Sequence, residues 1–162
     1  MAYQQSLSPT LKTLRSVPFV ELRQSLSSQV ALISPFVDQL MRFLAKCRND
    51  EEGQMEIETA LREALANAIV HGNHEDPRKS VHVMCRCTPE EEVSIRVQDE
   101  GQGFDSNAVP DPTTPEHRLD EHGRGIYLMK TLMDEIRFEQ GGAVVLMRKK
   151  RSSGKAAERQ AG

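Results

Sequence analysis

Two alternating runs of apolar and polar residues constrain the fold more than any other feature of this chain. They cover residues 80–87 and 93–99, and the five residues Thr88-Pro89-Glu90-Glu91-Glu92 separate them. Strict alternation is the pattern of a strand that buries one face, and a short polar connection predicts that the two strands pair as an antiparallel hairpin. Such a hairpin needs a second layer to cover its apolar face.

The apolar periodicity of the remaining chain predicts that second layer. The predicted elements are, in order, a strand over 17–26, helices over 28–47 and 54–72, the hairpin, a short helix over 125–133, and a second hairpin around Gly141-Gly142. Pro35 is expected to kink the first helix or delay its start, and residues 48–53 are expected to form a polar break. The order predicts an α+β fold in which helices cover one face of the sheet.

Composition and charge bound the kind of partner and compartment. The chain has 162 residues and a net charge of −3, and the acidic body argues against nucleic acid as a direct partner. Basic residues concentrate from Arg148 onward, so we expect a loose arm over 1–16, one domain over 17–149 and a basic, disordered tail over 150–162. No membrane span or secretory signal is predicted, and three cysteines are expected to be reduced thiols, so a cytoplasmic protein is expected.

The helix predicted over 54–72 carries a row of polar side chains. Glu63, Asn67 and His71 follow each other at four-residue spacing and therefore share one face of a regular helix. A carboxylate can accept a hydroxyl proton, and an amide oxygen is a hard ligand suited to Mg²⁺. The alternative is a solvated polar face with a capping Asn-Gly end.

An acid stands in the buried phase of the second strand. Asp99 continues the phase of the apolar residues before it, and Gly101 and Gly103 follow directly. The glycines remove side chains beside the carboxylate, so a flat ring could reach it, and an Asp that accepts from an exocyclic amine would prefer adenine to guanine. The alternative is a strand that simply ends in a glycine turn.

Two glycines around an arginine precede the short third helix. Gly123, Arg124 and Gly125 would place free backbone N–H groups and a guanidinium at a helix start, which suits phosphate. The alternative is a loop-to-helix turn with an exposed arginine. The glycine- and proline-rich residues 101–123 before it predict a lid or binding loop. Together the three stretches predict an ATP pocket that lacks a Walker motif.

These stretches resemble those of a known superfamily. Glu63-Ala64-Leu65-Ala66-Asn67-Ala68 with His71-Gly72, Asp99-Glu100-Gly101-Gln102-Gly103-Phe104-Asp105 and Gly123-Arg124-Gly125-Ile126 are similar to the Asn-containing and glycine boxes of the GHKL (Bergerat-fold) ATPases, and within them of the anti-sigma factor serine/threonine kinases. The resemblance implies a two-layer α/β sandwich with a mixed, mostly antiparallel sheet and an ATP lid.

The resemblance also implies roles for the boxed residues. Glu63 would be the catalytic base, Asn67 the Mg²⁺ ligand and Asp99 the adenine reader. The other nucleotide contacts would be His71, Gly101, Gly103, Gly123, Arg124 and Gly125. The implied cofactors are ATP and Mg²⁺.

The implied activity is an ATP-dependent protein serine/threonine kinase that phosphorylates a STAS-type anti-sigma factor antagonist and regulates transcription by partner switching. A sigma factor is the second implied partner, and a homodimer is expected. A nucleotide-binding module that sequesters its partner without phosphorylating it remains the alternative, followed by the ATP-handling domain of a histidine kinase. A metal site formed by Cys85 and Cys87 with His71, His74 and His82 is disfavoured, because thiols on the apolar face of a strand pack as small hydrophobes and a CxC spacing is not typical of zinc.

Overall fold

The computed structural model describes residues 18–102 and 121–151, and it confirms the α+β architecture. The elements are β1 (Val20–Ser27), a 3₁₀ turn (Val30–Leu32), α1 (Ile33–Leu44), α2 (Glu51–Ala66) continued by a π-helical turn (Asn67–Gly72), β2 (Ser80–Cys87), β3 (Val93–Gln98), α3 (Glu121–Leu132), β4 (Glu135–Glu139), a second 3₁₀ turn (Gln140–Gly142) and β5 (Val144–Lys149). The predicted arm, the tail beyond Arg151 and nearly all of the predicted lid lie outside the described residues.

The five strands form one sheet in the order β1-β2-β3-β5-β4. Every pairing among the described strands is antiparallel, so the sheet is less mixed than the resemblance implied. The predicted hairpin is β2–β3, with Cys85 opposite Ile95 at its centre. The second hairpin turns through Gly141 and Gly142, whose φ angles of 63° and 91° favour glycine.

All three helices pack against one face of this sheet, and the core lies between the two layers. Buried strand residues such as Val83, Cys85 and Ile95 meet buried helix residues such as Leu40 and Leu61. Burial raises the pKa of the Cys85 thiol, as expected for a thiol that packs as a hydrophobe. The alternation of the strands leaves their polar residues on the opposite, outer face.

The starts of α1 and α2 have different local causes. α1 begins at Ile33 and holds Pro35 in its first turn, where a missing N–H breaks no helical hydrogen bond; the predicted delay is therefore confirmed. α2 begins at Glu51, within the segment predicted to be a polar break. That prediction is wrong because Asp50 caps the helix, accepting from the Gly53 N–H at 3.1 Å.

A buried arginine joins three segments that are distant from one another in the sequence. Arg48, 1% exposed, pairs with Asp50 at 2.6 Å between Nη2 and Oδ2. Its guanidinium also donates to the carbonyl oxygens of Glu91 at 2.9 Å and Lys150 at 3.0 Å. The α1–α2 connection, the β2–β3 turn and the end of β5 therefore meet at one side chain.

The last turn of the long helix is wider than an α-helical turn. Residues Asn67–Gly72 form a π-helix, and the Asn73 N–H donates to the carbonyl of Ala68, five residues back, at 2.8 Å. The four-residue spacing from Glu63 to His71 assumed 3.6 residues per turn throughout. Because the π turn changes that phase, the predicted row continues only from Glu63 to Asn67.

Candidate functional site

Asp99 lies one residue beyond β3, and its backbone N–H extends the β3–β5 ladder by donating to the Ala143 carbonyl at 3.0 Å. The residue is only 7% exposed. Burial raises the pKa of its carboxyl group, and the Gly101 N–H, which donates to Oδ1 at 2.8 Å, partly offsets that shift by stabilising the charged form. The structure therefore holds a carboxylate in a place that costs free energy to charge.

Two glycines make room for this carboxylate. A Cβ on Gly72 would overlap the Asp99 carboxyl group, and a Cβ on Gly101 would overlap the Gly72 carbonyl oxygen. The end of the π-helical turn and the chain leaving β3 therefore touch backbone to backbone. Only glycine allows this approach at either position, which explains the glycines on both sides of the acid.

A buried amide fixes the same junction from behind. Asn73 is fully buried; its Nδ2 donates to Ser28 Oγ at 2.6 Å and to the Ser80 carbonyl at 2.9 Å, and its Oδ1 accepts from the Glu100 N–H at 2.8 Å. The side chain thus ties the end of the π-helical turn to the residue after β1, to β2 and to the residue after Asp99. The sequence analysis missed Asn73, because a single polar residue in a turn carries no periodicity.

Glu63 and Asn67 face the third helix across a narrow contact. A Cβ on Gly125 would lie 2.6 Å from Glu63 Oε2 and 3.6 Å from Asn67 Nδ2. Both polar side chains are half-buried. The absence of a side chain at position 125 is therefore what lets α3 approach the Glu63 carboxylate.

One small cavity brings the two halves of the site together. It has a volume of about 10 Å³, and its lining comprises Ala64, Asn67, Ala68, Val97, Asp99, Met129, Phe138, Gly142, Ala143 and Val145. Asp99 and Asn67 therefore line one space. The volume suffices for one water but is smaller than a purine ring. The contribution of the β4–β5 turn at Gly142 and Ala143 was not predicted from sequence.

The remaining predicted contacts are distributed less tightly. α3 begins at Glu121, so Gly123, Arg124 and Gly125 lie inside its first turns; the predicted start at residue 125 is wrong. Gly123 is buried and Arg124 is exposed.

Of the predicted site residues that the structure describes, Asn67 and Asp99 line the cavity, whereas Glu63, His71, Gly101, Gly123, Arg124 and Gly125 do not. His71 is exposed and is not among the lining residues, which follows from the wider π turn. Gly103 lies outside the described residues.

No cluster of three or more His, Cys, Asp and Glu side chains that could hold a metal exists within the ranges 18–102 and 121–151. Over the same ranges, no helix has the length and apolar character needed to cross a bilayer.

Comparison with known proteins identifies the family to which this fold belongs. Residues 26–149 match the family described as the histidine kinase-like ATPase domain. A solved structure, the RsbU and RsbW domains of Rv1364c from Mycobacterium tuberculosis, superposes with a TM-score of 0.58 at 19% identity, covering 81% of this chain and 32% of that chain. At that identity the likeness concerns the fold. The chain belongs to the histidine kinase-like (GHKL) ATPase family.

Similar proteins show to which group within this family the chain is related. The serine-protein kinase RsbW of Bacillus subtilis (strain 168) is 37% identical over 101 residues, covering 58% of this chain and 62% of the relative. The anti-sigma F factor of Clostridium novyi (strain NT) is 30% identical over 116 residues, covering 68% of this chain and 80% of the relative. The predicted resemblance to the anti-sigma factor kinases is confirmed, as is the predicted enzyme class, an ATP-dependent serine/threonine kinase, at the level of the family.

Proposed function

We propose that this chain binds Mg²⁺·ATP and transfers the γ-phosphoryl group to a serine or threonine of an anti-sigma factor antagonist of the STAS type. The observation that carries the proposal is the buried Asp99 carboxylate, which shares one cavity with Asn67 and is bracketed by Gly72 and Gly101. A carboxylate held in a mostly apolar pocket between two glycines suits a flat ring with an amino group.

Asp99 would read the adenine. Its charged form accepts hydrogen bonds only, so it matches the exocyclic amine of adenine and is repelled by the carbonyl oxygen that guanine has at the same position. The Gly101 N–H already holds Oδ1, which leaves Oδ2 for the base. The pKa of this carboxyl is raised because its charged form is costly to keep in an apolar pocket.

The cavity must open to admit the base, since it holds about 10 Å³ in the described structure. Met129 on α3 and Phe138 on β4 line the cavity together with Ala64 on α2. Methionine is unbranched and adapts its shape readily. Nucleotide binding would therefore displace the Met129 side chain, or shift α3 relative to β5.

Asn67 and Glu63 would act at the phosphate end. Asn67 would hold the Mg²⁺ that accompanies ATP through one hard oxygen ligand. The ion would neutralise charge on the phosphates. Glu63, one helical turn earlier, would accept the proton of the incoming hydroxyl group and orient its oxygen. Arg124, exposed on α3, would stabilise charge on the γ-phosphoryl group.

The partners follow from the relatives. Proteins named serine-protein kinase RsbW and anti-sigma F factor are 28–37% identical to this chain over their matched regions. We therefore propose a sigma factor as a further partner, sequestered when the antagonist is phosphorylated, and a homodimer as the functional unit. The alternative is a module that binds ATP and the sigma factor without phosphoryl transfer. The carboxylate at position 63, aimed at the α2–α3 contact, favours the enzyme.

The experiment combines calorimetry with phosphoryl transfer. We expect Glu63→Gln to keep Mg²⁺·ATP affinity and to lose transfer from γ-³²P-ATP to a purified antagonist by about 10²–10⁴-fold, the usual contribution of a general base. Asn67→Ala is expected to lose the Mg²⁺-dependent part of ATP binding. Glu58→Gln is the matched control, because Glu58 lies on the same helix and pairs with Arg62 at 2.9 Å instead.

Two results would overturn the proposal in different ways. Transfer that persists in Glu63→Gln removes the base assignment. Wild-type protein that binds ATP but labels no antagonist supports the sequestering module.

A further inference from the structure

The outer face of the sheet carries a cationic row that has no role in the nucleotide site. Strand register aligns one residue from each strand across the sheet, in the order Arg23, Met84, Arg96, Leu146, Arg137. The row thus alternates guanidinium groups with flexible apolar side chains and contains no carboxylate. In a chain of net charge −3, this is a local reversal of sign.

The neighbouring row shows what a balanced arrangement looks like. There Arg86 pairs with Glu21, and Arg148 pairs with Glu135 at 3.4 Å and with Glu92 at 3.1 Å. Every arginine of that row has a carboxylate partner within the sheet or beside it. That row is internally neutralised and needs no external anion.

The cationic row is neutralised only at its β1 end. Arg23 contacts Glu21, a carboxylate already shared with Arg86. The Arg96 guanidinium donates to the neutral amide of Gln98 at 2.6 Å, and Arg137, which is exposed, makes no ion pair within the ranges the structure describes. Two guanidinium groups of the row therefore keep their charge available.

Shallow grooves run on both sides of Arg96. One has a volume of about 410 Å³ between Arg23 and Arg96, and the other about 320 Å³ between Arg96 and Arg137; Met84 lines both. The described helices pack on the other face of the sheet. Arginine and methionine are enriched at protein interfaces, and lysine is depleted there; the row contains no lysine. Arginine binds phosphate as well as carboxylate, but the net negative charge of the chain opposes nucleic-acid binding and therefore favours a protein as the occupant.

The spacing of the guanidinium groups sets the geometry of that occupant. The three arginines stand on the first, third and fifth strands of the sheet. With neighbouring strands about 4.8 Å apart, they are about 10 Å apart along the row. A polyproline II segment rises about 3.1 Å per residue with three residues per turn, so side chains at every third position point the same way and are about 9 Å apart.

We propose that this row is a docking surface for an extended acidic protein segment that crosses the strands with a carboxylate at every third position. The carboxylates would pair with Arg23, Arg96 and Arg137, and the intervening side chains would contact Met84 and Leu146. The surface is distinct from the cavity that contains Asp99, so a partner could occupy it while nucleotide is bound.

Fluorescence anisotropy with defined peptides tests the proposal on the full chain. The probe is a fluorescein-labelled peptide with glutamate at every third position and leucine or threonine between, and the reference is a peptide of the same composition with its glutamates adjacent. We expect the spaced peptide to bind more tightly than the reference, with an affinity that falls as salt rises. Arg96→Ala/Arg137→Ala should weaken this binding at least about tenfold.

The control variant is Arg42→Ala/Arg78→Ala, which removes the same charge from exposed positions outside the sheet. It should bind the spaced peptide like the wild type. Three outcomes would overturn the proposal: no binding of the spaced peptide, equal binding of the adjacent-glutamate peptide or a single-stranded oligonucleotide, or a wild-type oligomer that becomes monomeric in Arg96→Ala/Arg137→Ala. The last outcome would make the row a contact between copies of this chain.

Discussion

Asp99 is a residue whose charged form destabilises the fold that contains it. Its position in the buried phase of β3 was visible in the sequence, because it continues the alternation of Val93, Ile95 and Val97. The structure confirms that it is buried and adds the cause of the cost, a pKa raised by burial. Asn73, which holds the residue after Asp99, was not predictable, since two of its three partners, Ser28 and Glu100, are far from it in the sequence.

The free energy of unfolding of the Asp99→Asn variant should rise relative to that of the wild type as pH rises. A carboxyl whose pKa is raised on folding contributes stability that is fully present below its unfolded pKa, near 3.8, and is lost as pH rises through the folded value. Asparagine has no charge to bury and keeps the oxygen that accepts from Gly101. Urea unfolding followed by circular dichroism between about pH 4 and pH 7 measures the difference.

Asp76→Asn is the control of opposite sign. Its neighbour Arg78 lowers the pKa of Asp76 to about 2. This carboxylate therefore stabilises the folded protein fully above its unfolded pKa, and the contribution is lost as pH falls through the folded pKa. The free energy of unfolding of the Asp76→Asn variant should therefore fall relative to that of the wild type as pH rises. If Asp99→Asn behaves like Asp76→Asn, the account of the buried carboxylate is wrong.

The elements were easier to predict than their ends. Long apolar periodicities gave both hairpins and all three helices. The predicted starts of α2 and α3 were wrong for different reasons. The first residues of α2 have the polar composition of a loop, although Asp50 caps the helix there. The glycines inside α3 resemble the residues that precede a helix. The π turn that removes His71 from the row of Glu63 and Asn67 has no signal in apolar periodicity.

Gly125→Ala tests the contact between α2 and α3. Alanine is favoured over glycine in a helix by about 1 kcal/mol, so the variant should be as stable as the wild type or more so. Its Cβ would lie 2.6 Å from Glu63 Oε2 and must displace that carboxylate. We expect phosphoryl transfer to fall at least about tenfold, because the carboxylate proposed as the base is displaced from its position.

Lys130→Ala, an exposed change in the same helix, is the matched control and should leave transfer unaltered. Thermal unfolding together with the γ-³²P-ATP assay separates the two effects. A Gly125→Ala protein with full transfer would show that Glu63 does not act from this position.

At the scale of the whole molecule, the two faces of one five-stranded sheet have different roles. The inner face packs against the helices to form the core, and Asp99 lies at one end of it. The outer face carries the row that contains Arg96 and Arg137. Both surfaces follow from strand alternation, which the sequence predicts. The order of strands that aligns three arginines comes from pairing β3 with β5, a long-range contact that no local pattern encodes.

The central claim is that Asp99 selects adenine. Calorimetric titration of Mg²⁺·ATP and Mg²⁺·GTP into the wild type and Asp99→Asn tests it most directly. The account predicts that the wild type binds ATP at least about tenfold more tightly than GTP and that Asp99→Asn loses this preference. Equal affinity of the wild type for both nucleotides, or an unchanged preference in Asp99→Asn, would contradict it.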